Sequence, residues 1–398
     1  MSSYRGPSAA LLLALSGSVG CDDGVSSSSA SGATSGTSGT TTSASSGASS
    51  SSSSGAGGGA PEPGLVLLDY GLAIDVTPDG RRAVFEDIST LDAKVVFYDT
   101  VTNEASVVTS VGDPTRDFAT GVSAGGRVTA LYGDPVVAGL FGEAAGWSHV
   151  ETPYPAGCDQ DLAGAWDVSA DGSVVVGMVW NGCFPEAFRW TDSGGTGTFQ
   201  KLEVLGSPAL GSTNPPTNRA TVVSDDGKVA AGFAQNGAVD RTPAVWKADG
   251  TGTLLLPQEM DAPGEVLSID ADGRTAAGIQ GNEGFVWNEA AGMMLMTRFD
   301  VALPTDPVYP NAMTADGTRV FGGVGDAFFG VPIAFVWSEA EGMHVLSDVA
   351  AAAGITMPAG LVLNSVLGAS ADGTVLIGVA MEMDGTPRTF VLRLPAAP

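Results

Sequence analysis

The chain has 398 residues, 56 of them glycine, with 44 acidic against 17 basic side chains and a formal charge of −27. So few cations cannot neutralise a phosphate backbone or an anionic bilayer surface, which excludes nucleic-acid binding and electrostatic membrane docking. No apolar run reaches the length of a spanning helix, and glycine scattered without a three-residue period excludes collagen.

The amino terminus carries Arg5, the apolar run Ala9–Leu15 and the small residues Ser16–Gly20 before Cys21. One cation, a short apolar stretch and small residues make a secretory signal over 1–20. It resembles a bacterial lipoprotein signal, in which the cysteine becomes the lipidated first residue, although Ser18 stands where that motif usually has Leu. Residues 21–60 form a linker that from 24 onward is almost wholly Ser, Thr, Gly and Ala. Such a segment buries too little apolar surface to offset its ordering entropy. At roughly 5–6 Å × √n its end-to-end distance is about 30–37 Å, a tether that holds a body off a surface.

Residues 61–398 keep 44 of the glycines, so the excess belongs to the body. There one phrase repeats: Val168-Ser169-Ala170-Asp171-Gly172 followed by Val174–Gly177. Its Asp-Gly pairs are Asp79-Gly80, Asp171-Gly172, Asp226-Gly227, Asp272-Gly273, Asp316-Gly317 and Asp372-Gly373, with a looser copy at Gly125-Gly126. Seven copies spaced 44–56 residues apart predict a seven-bladed β-propeller of four-stranded antiparallel blades. Asp-Gly between β-branched runs is a hairpin turn. Three residues before each turn glycine stands Thr77, Ser123, Ser169, Ser224, Asp270, Thr314 or Ser370, whose oxygen can accept a turn amide. The third strand then ends near a large residue, such as Trp190, Trp246, Trp287 or Trp337. The last copy runs out after that strand, while Leu65–Asp69 reads as a fourth strand with nothing before it. This segment is expected to complete the seventh blade and close the ring, leaving no long unpaired edge.

The phrase Ser-x-Asp-Gly-x-x-x-x-Gly, followed by Ala187-Phe188-Arg189-Trp190 or Ala334-Phe335-Val336-Trp337, resembles the bacterial extracellular repeat proteins named for a His-Ala-Phe motif. The resemblance covers about residues 65–398. It departs at the naming histidine, which is Glu186 in one copy and Ile333 in the other. It implies a secreted repeat fold and carries over no catalytic residue.

His149 and His344 both fall on outermost strands of different blades, which excludes a histidine-based metal site or nucleophile. The turn aspartates are weighed as calcium ligands, but no copy has the acid spacing of an oxygen-rich loop, so turn chemistry is the expectation and no cofactor is assigned. With Cys21 lipidated, Cys158 and Cys183 remain as a pair in an oxidising compartment. They lie in two loops on one face of blade three, where a disulfide is geometrically allowed and two free thiols are the alternative. That face also gathers Tyr154, Asp159, Asp161, Trp166, Trp180 and Phe184, a candidate surface for stacking a sugar or holding a peptide. Insertions at 206–219 and 349–364 open on the same face, with a short helical turn expected at Ala350–Ala353.

The preferred reading is an exported, lipid-anchored, monomeric propeller that binds a protein or glycan without catalysis. A rival is a propeller-type lyase or hydrolase that uses channel carboxylates, with Asp75 and Asp167 as inward candidates on the first strands of their copies. A purely structural envelope protein is the third.

Overall fold

The computed structural model describes residues 62–396 except 91, 113–116, 134, 154–162, 182–183, 194–196, 209–210, 212, 238, 256–261, 300–304 and 326–330. The signal and linker with Cys21, and the positions Tyr154, Cys158, Asp159, Asp161 and Cys183, lie outside the described residues.

The first strand, β1 (Gly64–Leu68), stands apart from its neighbours in sequence. Blade one follows as β2 (Leu72–Val76), β3 (Arg82–Asp87), β4 (Ala93–Asp99) and β5 (Glu104–Gly112). Blade two is β6 (Phe118–Val122), β7 (Val128–Tyr132), β8 (Val137–Gly142) and β9 (Gly146–His149). Blade three is β10 (Ala163–Val168), β11 (Val174–Asn181), β12 (Phe184–Asp192) and β13 (Gly197–Lys201). Blade four is β14 (Asn218–Val223), β15 (Val229–Asn236), β16 (Val239–Lys247) and β17 (Gly252–Leu254). Blade five is β18 (Gly264–Ile269), β19 (Thr275–Gln280), β20 (Glu283–Asn288) and β21 (Gly292–Leu295). Blade six is β22 (Val308–Met313), β23 (Val320–Val324), β24 (Ile333–Ser338) and β25 (Gly342–Val345), continued by α1 (Leu346–Ala352). Blade seven is β26 (Val362–Ala369), β27 (Val375–Met381) and β28 (Pro387–Arg393), with β1 as its outer strand. Every ladder is antiparallel, and β1 pairs with β28 from Gly64↔Arg393 to Leu68↔Thr389. The ring is therefore closed by the two ends of the body, as its sequence predicts.

Each blade is buried on both faces by its neighbours, which is why second strands such as Val174–Val176 read as unbroken apolar runs. The core is accordingly a set of clusters at the seams. Val174, Val176 and Ala187 of blade three, for example, meet Ala220, Val223 and Trp246 of blade four.

The repeated turn is a small hydrogen-bonded machine. In blade three the Ser169 hydroxyl donates to Asp171 (2.7 Å) and accepts the Val174 amide (2.9 Å), while Asp171 accepts the Ser173 amide (2.8 Å). The same three bonds recur around Thr77–Asp79, Ser224–Asp226, Thr314–Asp316 and Ser370–Asp372. Gly172 turns the chain at φ 75°, which only glycine adopts at no steric cost. In each of these turns one aspartate oxygen, Oδ1, accepts both the hydroxyl and the amide.

Two features place the channel. Each innermost strand carries a register shift, such as Ala165/Asp167 in β10 and Val266/Ser268 in β18, a β-bulge that turns an extra residue toward the axis. Opposite the bulge stands the glycine that closes the phrase. A Cβ at Gly278 would collide with the Glu265 carbonyl oxygen, and one at Gly177 with that of Gly164.

The expected turn at 350–353 is instead the helix α1, beginning four residues earlier. Leu346 and Ala350 lie on one helical face and are buried between blades six and seven, so this insertion packs against the seam and does not stand open.

Candidate functional site

The innermost strands enclose a cavity of about 250 Å³ along the axis, lined by Asp75, Thr120, Trp166, Asp167, Thr221, Ser268 and Asn311 among apolar neighbours. Sequence reasoning placed Asp75 and Asp167 here correctly. Their partners were not foreseen. Asp75 accepts the amides of Val76 (2.8 Å) and, across the seam, Val122 (3.0 Å). Asp167 likewise accepts Val168 (2.7 Å) and, across its seam, Val223 (2.7 Å).

Four further polar groups of the channel behave the same way. Thr120 donates to the Ala165 carbonyl (3.0 Å), Ser268 to that of Pro310 (3.0 Å), and Asn311 to Ser365 Oγ and the Val366 carbonyl (both 3.0 Å). Thr221 donates to Glu265 Oε1 (2.5 Å). Each blade from one to six thus sends one polar side chain from its bulge to the next blade. At the seam of blades seven and one the bulge residues are Leu367 and Gly368. There Gly368 lies against the Asp75 backbone, and Arg393 reaches the Thr100 carbonyl (2.7 Å) and Asn103 (2.9 Å).

Burial pushes the Asp75 carboxyl up to about 7, against its two amide donors. Asp167 is raised well above the usual carboxylate range by burial and by the Asp75 charge. Both lie deep among protein atoms yet face the channel, so neither is sealed from solvent. Asp225 also lines the channel, and burial followed by Asp226 and Asp270 raises its carboxyl. Among the described residues no group of three His, Cys, Asp or Glu side chains is placed to hold a metal ion.

Beside the channel a buried ionic group went unforeseen. Glu265 (3% exposed) receives Arg219 Nη2 at 2.6 Å and Arg241 Nη1 at 3.1 Å. The Arg219 guanidinium stacks over Trp166 (4.9 Å) and Phe233 (5.0 Å). A signal existed in the repeats: Arg219 and Glu265 hold the same position in adjacent copies, eight residues before Gly227 and Gly273. Opposite charges there meet across one seam.

Of the aromatic candidates, the structure assigns Trp166 to the channel wall and Trp180 and Phe184 to the β11–β12 hairpin. Among the described residues no ring contact joins them. Glu186, at the position of the naming histidine, is buried and bonds Lys201 (2.7 Å) and Asn181 (3.3 Å). The histidines lie on the outer strands β9 and β25, away from the channel. No described helix is long and apolar enough to cross a membrane.

Neither a family model nor a curated protein sequence matches the chain. Solved structures do. The Cps50 (Swd1) β-propeller domain from Myceliophteria thermophila is 10% identical with a TM-score of 0.50, over 83% of this chain and 100% of that one. An oligogalacturonate lyase in complex with manganese is 13% identical with a TM-score of 0.50, over 84% and 99%. TolB from Acinetobacter baumannii is 17% identical with a TM-score of 0.40, over 58% of this chain and 54% of that one, so the chain spans about half that protein's length. At these identities the likeness is one of fold: the chain is a seven-bladed β-propeller.

Proposed function

We propose that the chain is an exported, lipid-anchored propeller of the His-Ala-Phe repeat kind that binds a protein or glycan without turning it over. The observation that supports this most is the use of six of the channel's polar groups. Asp75, Thr120, Asp167, Thr221, Ser268 and Asn311 are each committed to the neighbouring blade. An acid–base pair needs groups free to exchange protons with a substrate, and among the described residues no lysine, arginine or histidine lines this cavity. The signal and tether of the sequence supply the address. Binding falls to the face where the second and third strands connect, which carries Trp180 and Phe184, residues able to stack a sugar ring or hold an apolar side chain.

The test is a panel of neutral and acidic polysaccharides, assayed for retention on immobilised polymer and for release of new chain ends. Retention without turnover, weakened by Trp180→Ala, supports the reading. Turnover that vanishes in an Asp75→Asn, Asp167→Asn variant of matched melting temperature would overturn it in favour of a lyase or hydrolase.

A further inference from the structure

At the face bearing the Asp-Gly turns, backbone bonds run from blade to blade around the axis. Ala124 donates to Ala170 (2.9 Å), Ala170 to Asp225 (3.1 Å), Asp226 to Ala271 (3.1 Å) and Ala271 to Ala315 (3.0 Å). Ala315 then donates to Ala371 (2.8 Å), and Ala371 to Pro78 (2.8 Å). These bonds tie six seams. Five of the bonds leave from the position of Pro78 and blade four's from the residue after it. In the seventh seam, between blades one and two, Pro78 has no N–H to give, and no described backbone bond runs from Asp79 to blade two.

That same seam is clasped by carboxyls. Asp75 holds the Val122 amide and Glu86 holds the Ala119 amide, each at 3.0 Å. The position of Glu86 is apolar in most other blades, where Met178, Phe233, Ile279 and Val379 stand six residues after the turn glycine. Its side chain is 0% exposed, and Oε1 has no hydrogen-bond partner among the described residues. In its own sheet Glu86 lies between Leu72 of β2 and Val95 of β4. From blade two it meets the Ala119 amide and the charge of Asp117. Asp75 is flanked by Val84 of β3 and Gly368 of blade seven, with Asp167 and Asp225 as the charges that bear on it. Among the described residues no cation offsets either group. Elsewhere across this seam, Trp147 Nε1 bonds Thr109 Oγ1 (2.9 Å) and the Ser110 carbonyl (2.8 Å), and Arg82 pairs with Glu143 (3.2 Å) at the surface.

We propose that the seam between blades one and two is an acid-locked joint: Glu86 and Asp75 clasp it as neutral acids, and their ionisation loosens it. A protonated carboxyl still accepts an amide through its carbonyl oxygen, so the clasp is intact when neutral. Ionised, it places a charge with no counter-ion among the described residues in a buried seam that lacks its backbone tie. The third seam has a carboxyl clasp too, from Asp167, but the Ala170 amide backs it there. Burial pushes both Glu86 and Asp75 up to about 7.

The sign follows from proton linkage. With the open state titrating near the ordinary carboxylate value, about 4, the closed state holds protons that the open state has lost. Closure is therefore favoured at low pH and weakens as pH rises toward 7, above which the effect levels off. For each carboxyl the opening constant grows about tenfold per pH unit inside that window.

Amide hydrogen exchange of the full chain between pH 5 and 8, corrected for intrinsic chemistry, tests this. The opening constant over 117–124 should rise at least about 100-fold from pH 5 to 7 and then plateau. The segment 308–315, clasped by Ser268 and tied by its backbone bond, should not follow. Glu86→Gln and Asp75→Asn should each flatten part of the rise, and the double variant all of it. Equal pH profiles for the two wild-type segments would overturn the proposal without any variant. A double variant that keeps the wild-type profile would do the same.

Discussion

Deleting β1 measures what ring closure contributes. The strand lays Leu65 and Leu67 against the cluster of blades six and seven, and Val66 and Leu68 against that of blades seven and one. All four are partly buried. Full burial of such side chains stabilises by about 1.5–3 kcal/mol each, so half-burial gives about 1 kcal/mol apiece and about 4 kcal/mol together. The ladder to β28 adds about 1 kcal/mol per hydrogen bond, which is offset by about 1–2 kcal/mol per residue for ordering the backbone. The expected loss is therefore about 4 kcal/mol, which at this chain size is a drop in melting temperature on the order of 5–10 °C. It also bares the edge of β28, so the truncated chain should aggregate on unfolding. Circular dichroism melts of chains lacking 1–60, 1–69 or 395–398 make the comparison. Removing 1–60 keeps β1, and removing 395–398 leaves β28 whole, since that strand ends at Arg393. Equal midpoints for the chains lacking 1–69 and 395–398 would refute the argument.

Global stability should peak near pH 4–5. Carboxyls raised on folding (Asp75, Glu86, Asp167, Asp225 and Asp270) favour the folded chain at low pH and withdraw that support as pH rises, Asp75 and Glu86 on the approach to about 7. Asp171, held low by the Ser173 amide and Ser169 hydroxyl, has the opposite sign and loses its contribution as pH falls below about 4. A melting temperature that climbs from pH 5 to 7 would contradict this. Gly278→Ala should cost about 2 kcal/mol or more in urea unfolding, because the Glu265 carbonyl and Phe285 ring occupy the space a Cβ needs; an effect under about 0.5 kcal/mol would show that the bulge can move. Glu265→Gln should cost about 3–5 kcal/mol by stripping the buried Arg219 of its counter-charge, and a neutral result would mean that water already reaches the guanidinium.

The architecture was legible because one constraint recurs seven times. A turn needing positive φ, with a hydroxyl three residues ahead and β-branched residues behind, leaves a pattern that survives drift elsewhere in the repeat. Blade count, strand order and closure by residues 65–69 all follow from counting those turns. The extent of α1 was not legible, since Leu346 reads equally well as the end of an outer strand until the seam that buries it is known. The channel was half legible. Strand periodicity puts Asp75 and Asp167 on the inner face, but the next blade's amide comes from a residue 47 or 56 positions away. A chemical role and a structural clasp look alike until that distance is known. Arg219 and Glu265 escaped notice because each is unremarkable in its own copy, and only superposing adjacent copies sets them face to face.

The acidity of the chain acquires a physical cause in this way. Carboxylates serve the fold in two environments of opposite electrostatic sign, and in both the compensating partner is mostly an N–H or O–H dipole. In the turns, amides and hydroxyls stabilise the ionised form: Asp171 titrates low, and in Asp226, Asp316 and Asp372 partial burial pulls the other way but is outweighed. In the seams, two amides per group do not offset burial, and Asp75 and Asp167 favour the neutral form. A fold that repeats backbone donors at every turn and every seam can hold many acids with few lysines or arginines. Two of its little-exposed cations, Arg219 and Arg241, converge on Glu265, where one carboxylate bridges blades four and five. Charge imbalance here follows from how blades are joined, and it need not imply a cationic ligand.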